Sequence, residues 1–282
     1  MPSEKPIEEW VSFQSQGATL VGILTKPPGG APARWGVAFV HGWGGNRIGP
    51  HRIIVKVSRA LAARGIASLR FDLRGRGDSP GDPDATTLDM MIDDTCAAVD
   101  FLHGRLGEAP VALWGICSGG NVAIGAATLR PEVRRLVLLS TLPFIPQKKA
   151  GESVARTKKH ALGYLAKLFS LATWKRAFTG AVDFAGVRKT LFGHYGKTPQ
   201  RDHKDSARDI MNAFRDYRGD ALFVYGGADP EAVDARAHYE AFTRERGIPS
   251  EFVIIEGSNH DFYSLEWESR ITDLTSTWIE RT

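Results

Sequence analysis

The stretch that decides the fold is residues 111–120, which read VALWGICSGG. Its first four residues form a short apolar run typical of a buried β-strand, and residues 118–129 have a helical pattern. Between them, Gly115 and Gly119 stand two residues before and two residues after Cys117. A side chain that projects from a strained strand-to-helix turn needs neighbours nearly free of side chains at these two positions. The spacing therefore predicts a nucleophile turn with Cys117 as the nucleophile.

Two other interpretations of this turn stay open at this point. A nucleophile at Ser118 would place Ile116 in the crowded position before the turn, so the glycine spacing favours Cys117. Cys117 as an inert buried thiol is the second alternative, because free cysteines are commonly buried and structural. At a helix N-terminus, however, the helix dipole favours the thiolate, which is the reactive form of cysteine.

Outward from this turn, short apolar runs alternate with helical patterns, which is typical of βαβ units around a mostly parallel sheet. An antiparallel hairpin, residues 8–13 and 19–25, is predicted ahead of them around Gln16 and Gly17. The predicted fold class is therefore α/β. Further strands are predicted at residues 36–40, 67–71, 111–114, 135–139, 221–225 and 251–255, and helices at residues 52–64, 88–106, 118–129, 231–246 and 264–279.

The alternation stops between residues 143 and 218, where helical periodicity continues without a convincing strand. An insertion at the carboxyl ends of parallel strands lies where ligands bind in open α/β folds, so residues 143–218 are predicted to form a helical lid. Residues 1–142 and 219–282 are predicted to form the core. Residues 147–218 hold 16 Lys or Arg against 6 Asp or Glu. A solvated helical face is the simplest interpretation of this charge, and attraction of acidic substrates or a membrane surface is the alternative.

The composition is that of an ordinary globular protein, with 282 residues, 43% hydrophobic and 24% charged, and a net charge of +4. Cys96 and Cys117 are too few for a disulfide framework or a Cys-x-x-Cys zinc pattern. The first ten residues lack the basic start and the apolar stretch of a signal peptide. No apolar run approaches the roughly 20 residues of a membrane span. A cytoplasmic protein without an integral membrane segment is therefore expected.

Two later loops supply an acid and a base, in the chain order nucleophile, acid, base. Asp229 follows a predicted strand within YGGADP, and His260 follows the next predicted strand within GSNH. In this scheme His260 removes the thiol proton of Cys117 and later activates water, while Asp229 holds the imidazole tautomer and stabilises its cation. Asp261, next to His260, is the alternative acid, although a cap at the start of the last helix suits it better.

Two further motifs stand directly after predicted strands. HGWGG follows the first parallel strand at residues 41–45, and DLRGRGDS stands at residues 72–79. With these motifs the chain resembles the α/β-hydrolase superfamily over nearly its whole length, and the second motif is similar to a mainly structural loop of that family. The lid and hairpin are most similar to carboxylesterases of the serine aminopeptidase and monoacylglycerol lipase type. The resemblance implies an oxyanion hole formed by the backbone N–H groups of Trp43 and Ser118.

The departure from those relatives is cysteine in place of serine; dienelactone hydrolases also have cysteine here but lack a lid of this size. The resemblance implies a hydrolase that cleaves carboxylic esters through Cys117, His260 and Asp229, with a thioester acyl-enzyme. Hydrolysis of dienelactones or other lactones, and acyl transfer by the same groups, are the alternatives. The expected partner is a small-molecule ester or acyl substrate, without a metal, an organic cofactor or nucleic acid.

Overall fold

A computed structural model describes residues 5–107, 109–143 and 206–281, in which the chain forms eight strands and six α-helices. The strands are β1 (Ile7–Ser15), β2 (Ala18–Lys26), β3 (Trp35–Val40), β4 (Ile66–Phe71), β5 (Val111–Ile116), β6 (Val133–Leu139), β7 (Asp220–Gly226) and β8 (Ser250–Ile255). The helices are α1 (Ile53–Ala63), α2 (Leu88–Leu106), α3 (Ser118–Ala127), α4 (Ile210–Phe214), α5 (Ala232–Arg246) and α6 (Leu265–Glu280).

One sheet contains these strands in the order β1-β2-β4-β3-β5-β6-β7-β8. The β1–β2 and β2–β4 pairs are antiparallel, and every other neighbouring pair is parallel. The predicted α/β class is confirmed, and each strand and helix predicted from the sequence lies within two residues of its observed bounds. Because β3, β5, β6, β7 and β8 are parallel, their carboxyl ends meet at one edge of the sheet, where the candidate site lies.

Both faces of the sheet are covered by helices. Successive side chains of a strand point to opposite faces, so Val37 and Phe39 of β3 pack with α1 and α6, while Ala38 and Val40 pack with α2 and α3. All four side chains are fully buried. Burial on both faces explains why the parallel strands have unbroken apolar sequences rather than alternating ones.

The N-terminal hairpin turns at Gln16 and Gly17, with φ of 47° and 79°. Positive φ at both central residues gives the turn a twist that matches the flanking strands. Arg74 fastens this hairpin to α2, because its guanidinium bonds the buried Asp94 carboxylate at 2.6 Å and the Ser15 hydroxyl at 3.2 Å. The predicted hairpin is thus observed at the sheet edge.

Arg135 on β6 anchors the last helix. Its guanidinium donates to the carbonyl oxygens of Trp278, at 2.6 Å, and Ile279, at 2.7 Å, and lies 4.7 Å over the ring of Trp35. Carbonyls in the last turn of a helix lack partners within the helix and attract positive charge. Arg135 therefore holds the end of α6 against the sheet.

The predicted lid spans residues 143–218. Most of this segment, with most of its basic residues, lies outside the described residues. The described end of this segment contains α4, whose Ile210 and Phe214 are buried in the core. In the parts of the chain that the structure describes, no helix combines the length and the apolar character needed to cross a bilayer.

Candidate active site

The nucleophile turn lies between β5 and α3, and Cys117 occupies it with φ 56° and ψ −127°. This conformation is strained for a residue other than glycine. A Cβ on Gly115 would lie 2.6 Å from the carbonyl oxygen of Gly119, and a Cβ on Gly119 would lie 2.3 Å from that of Val40. Both positions therefore require glycine. The strained residue is Cys117 rather than Ser118, in agreement with the register that the glycine spacing predicts.

Asp229 and His260 reach Cys117 from the ends of β7 and β8. The Nδ1–H of His260 donates to Oδ2 of Asp229 at 2.7 Å, and the same ring is hydrogen-bonded to the Cys117 thiol. Asp229 is buried, and its other carboxylate oxygen accepts the backbone N–H of Glu231 at 3.1 Å. Asp261 is exposed. The structure therefore brings the three sequence-predicted groups into one chain of hydrogen bonds, with Asp229 on the imidazole.

The contact between Cys117 and His260 shifts the pKa of both groups. Burial raises the pKa of the Cys117 thiol, but the hydrogen bond and charge of His260 outweigh it, with the backbone N–H of Ser118 also contributing, so this pKa is below its ordinary value. The bond to Cys117, helped by Asp229 and opposed by burial, raises the pKa of His260 to about 9. At neutral pH the ring of His260 is therefore protonated, and its charge favours ionisation of the Cys117 thiol. These opposite shifts favour transfer of the thiol proton to His260, which is the role that the sequence predicts for the ring.

The loop that carries His260 is held by Ser140, a residue that the sequence analysis does not select. Ser140 is fully buried with φ 45°, and its hydroxyl donates to the backbone carbonyl of His260 at 2.9 Å. Its own N–H donates to the carbonyl of Val224 at 2.9 Å. One feature of the sequence could have identified Ser140: it is a hydroxyl residue directly after the apolar strand β6, where a polar group must find a buried partner.

The loop after β3 places Trp43 beside the nucleophile turn. Its backbone N–H donates to the side-chain oxygen of Ser118 at 2.7 Å. Arg76 holds the other side of this peptide segment, because its Nε donates to the carbonyl of Trp43 at 2.7 Å and its guanidinium lies 5.6 Å over the indole. The two residues predicted for the oxyanion hole are therefore adjacent, and a hydroxyl already bonds one of the two predicted donors.

His41 ties this loop to the one after β4. Its Nε2 accepts the backbone N–H of Leu73 at 3.2 Å, and its Nδ1 lies 2.8 Å from the carbonyl of Gly42. Burial lowers the pKa of His41, so the ring is neutral at neutral pH. The fully buried Asp72 adds two further ties between these loops, since it accepts the backbone N–H of Arg47 at 2.7 Å and also bonds the Arg47 guanidinium. Among the described residues, the ring of His41 bonds only these loops and makes no hydrogen bond to Cys117, His260 or Asp229.

The chain is similar to known proteins both as a family and in its sequence. The model described as the alpha/beta hydrolase family matches residues 37–270. Among curated proteins, the lysophosphatidylserine lipase of Xenopus tropicalis is 35% identical over 154 residues, which cover 54% of this chain and 36% of that protein. The lysophosphatidylserine lipase of Mus musculus is also 35% identical, over 54% of this chain and 35% of its own length. The alignments thus span about a third of these relatives.

Solved structures resemble the chain over nearly its whole length. A dienelactone hydrolase from Anabaena variabilis has a TM-score of 0.63 and 20% identity, with 98% of both chains covered. An esterase from Pyrococcus furiosus has a TM-score of 0.64 and 19% identity, with 97% of this chain and 91% of that chain covered. At these identities the likeness is one of fold.

Proposed function

The chain belongs to the alpha/beta hydrolase family, and we propose that it hydrolyses carboxylic esters through a thioester formed on Cys117. The observation that carries the proposal is the chain of hydrogen bonds from Asp229 through His260 to Cys117. A Cys117 thiol of lowered pKa in contact with a protonated His260 supplies a nucleophile and a proton donor at one point, which is what acyl transfer requires. The scheme needs neither a metal nor an organic cofactor.

The acylation step begins with attack of the Cys117 thiolate on the ester carbonyl carbon, which turns the carbonyl oxygen into an oxyanion. When this tetrahedral intermediate collapses, the bond to the alcohol oxygen breaks and His260 gives that oxygen its proton. Nδ1 of the ring is bonded to Asp229, so the proton comes from Nε2. The products of the step are a free alcohol and a thioester on Cys117.

Water completes the cycle. The neutral His260 removes a proton from water, and the resulting hydroxide equivalent attacks the thioester carbonyl. The carbon–sulfur bond then breaks, the carboxylic acid leaves, and the thiolate and imidazolium are restored. Asp229 stabilises the histidine cation in both half-reactions. An alcohol or amine in place of water would make the same groups an acyltransferase.

Exposed apolar side chains at the same edge of the sheet support an ester with an apolar part. Each lies between the end of a parallel strand and the first turn of the next helix, and their exposed fractions run from 42% to 78%. We name these residues the apolar rim: Ile48, Val233, Tyr263 and Leu265. Apolar side chains are usual at sites for small apolar ligands. Because the matched lipases are named for lysophosphatidylserine, a lysophospholipid is the second candidate substrate, and the apolar rim favours it.

The test is turnover of nitrophenyl esters from acetate to laurate, with lysophosphatidylserine assayed in parallel and acyl adducts identified by mass spectrometry. We expect ester turnover and an acyl mass on the peptide that contains Cys117, because the acyl-enzyme is an obligatory intermediate of the scheme. An added alcohol that speeds product formation beyond hydrolysis would identify acyl transfer instead. An adduct on a different residue, or no turnover of any ester, would contradict the proposal.

The pH dependence of kcat/KM is expected to be bell-shaped. The rate rises as Cys117 ionises, which occurs below the ordinary thiol pKa because its pKa is lowered. It falls near pH 9, since the pKa of His260 is raised to about 9 and a neutral ring cannot protonate the leaving oxygen. Asp229→Asn removes one of the groups that raise the pKa of His260, so the alkaline limb moves to lower pH.

Asp261→Asn is the matched control for this profile. Asp261 stands next to His260 in the sequence but is exposed, and the imidazole bonds Asp229 instead. We expect its alkaline limb to remain near pH 9. An alkaline limb that stays at the wild-type pH in Asp229→Asn would show that Asp229 does not set the charge of the ring.

A further inference from the structure

The groups expected to bind an oxyanion are already bonded within the protein. The Trp43 N–H donates to the Ser118 hydroxyl oxygen at 2.7 Å, and the Ser118 N–H bonds the sulfur of Cys117. A substrate oxygen that bonded the Trp43 N–H directly would have to expel this hydroxyl. The Ser118 side chain therefore occupies the place that the family resemblance implies for the oxyanion.

The Ser118 hydroxyl keeps a proton to donate. Among the residues that the structure describes, this oxygen accepts one hydrogen bond, from Trp43, and donates none. A hydroxyl that accepts a hydrogen bond becomes a stronger donor, because neighbouring hydrogen bonds polarise each other. Trp43 is itself fixed through its carbonyl by Arg76. The arrangement presents a fixed and polarised O–H with no protein acceptor in the described ranges.

The hydroxyl also borders the space in which the nucleophile reacts. A Cβ built on Gly42 would lie 3.5 Å from Cβ of Cys117 and 3.7 Å from the Ser118 oxygen. Both side chains thus meet at one small volume beside Gly42.

We infer that the Ser118 side chain is a catalytic residue that donates its O–H to the oxyanion, together with its own backbone N–H. The inference rests on the proposed function. As the carbon–sulfur bond forms, the carbonyl π electrons move to oxygen, and the negative charge leaves the sulfur that the Ser118 N–H bonds at rest. That N–H is fixed at the start of α3 and bonds the oxyanion as the charge passes from sulfur to oxygen, and the hydroxyl adds a second bond without giving up its proton. Trp43 contributes indirectly, because its backbone N–H holds the Ser118 hydroxyl in place.

The test compares Ser118→Ala with Ser118→Thr on the same nitrophenyl ester. Removal of one oxyanion donor costs about 10²-fold in kcat in other hydrolases, so we expect a loss of this order in Ser118→Ala with KM little changed. Ser118→Thr keeps the hydroxyl and is expected to recover most of the rate. The pH dependence of Cys117 alkylation by iodoacetamide should match the wild type in both variants, because the thiolate is stabilised by His260 and a backbone N–H.

Three outcomes would overturn the inference. Wild-type or higher kcat in Ser118→Ala would mean that the freed Trp43 N–H bonds the oxyanion itself. A Ser118→Thr variant as slow as Ser118→Ala would show that the hydroxyl is not the active group. A parallel loss of Cys117 alkylation in Ser118→Ala would assign the effect to the shape of the turn. Failure of the proposed function is distinct from these, since Cys117→Ala would then hydrolyse esters at the wild-type rate.

Discussion

Replacing Cys117 with alanine is expected to lower kcat/KM for ester hydrolysis by at least about 10³-fold, because the atom that attacks the carbonyl carbon is removed. His260 and the oxyanion donors remain in this variant, so a small residual rate over the uncatalysed reaction is expected. Cys117→Ser retains a nucleophilic atom of higher pKa, which His260 must deprotonate during attack. Its rate is expected to fall between those of the alanine variant and the wild type. The measurement is kcat/KM for one nitrophenyl ester under identical conditions.

Cys96 provides the matched control. It is buried in α2, and burial raises the pKa of its thiol to about 11, so it is neutral and enclosed in the core. Cys96→Ala is therefore expected to hydrolyse the ester at close to the wild-type rate. Wild-type activity in Cys117→Ala would exclude Cys117 as the nucleophile, and a comparable loss in Cys96→Ala would mean that the loss is not specific to position 117.

The fold was predictable because its signals are local. The central strands are buried on both faces, so β5 and β6 have unbroken apolar sequences, and the glycines at positions 115 and 119 mark the turn that follows β5. Chain order and position after a strand were enough to select Asp229 and His260, because parallel strands end at the same edge. The lid assigned to residues 143–218 stays a prediction.

The protonation state and the hydrogen bonds of the site were not predictable in this way. The sequence identifies Cys117 and His260 but not their contact, and it is the contact that lowers the pKa of the thiol and raises the pKa of the ring. The bond from Trp43 to the Ser118 hydroxyl joins residues 75 positions apart, and the bond from Ser140 to the His260 carbonyl spans 120 positions. Such contacts depend on where loops from different strands meet, which neither periodicity nor spacing encodes.

Gly119→Ala is expected to destabilise the protein by about 3 kcal/mol and to abolish most of its activity. The new Cβ would lie 2.3 Å from the carbonyl oxygen of Val40 and 2.6 Å from that of His41. Both oxygens belong to the backbone at the end of β3, which is paired on both sides within the sheet. Neither can rotate away as a side chain could, so α3 must move and take Cys117 and Ser118 with it.

Gly104→Ala is the matched control, since it makes the same substitution where there is room. Gly104 is exposed in α2, and a Cβ there would meet nothing within 4 Å. Alanine in a helix interior is favoured over glycine by about 0.5–1 kcal/mol, so this variant should be slightly more stable than the wild type and fully active. Urea unfolding followed by circular dichroism measures the stability of both variants, and turnover of the nitrophenyl ester measures their activity. If Gly119→Ala matched Gly104→Ala in stability and activity, the close approach of α3 to β3 would not be what holds the nucleophile turn.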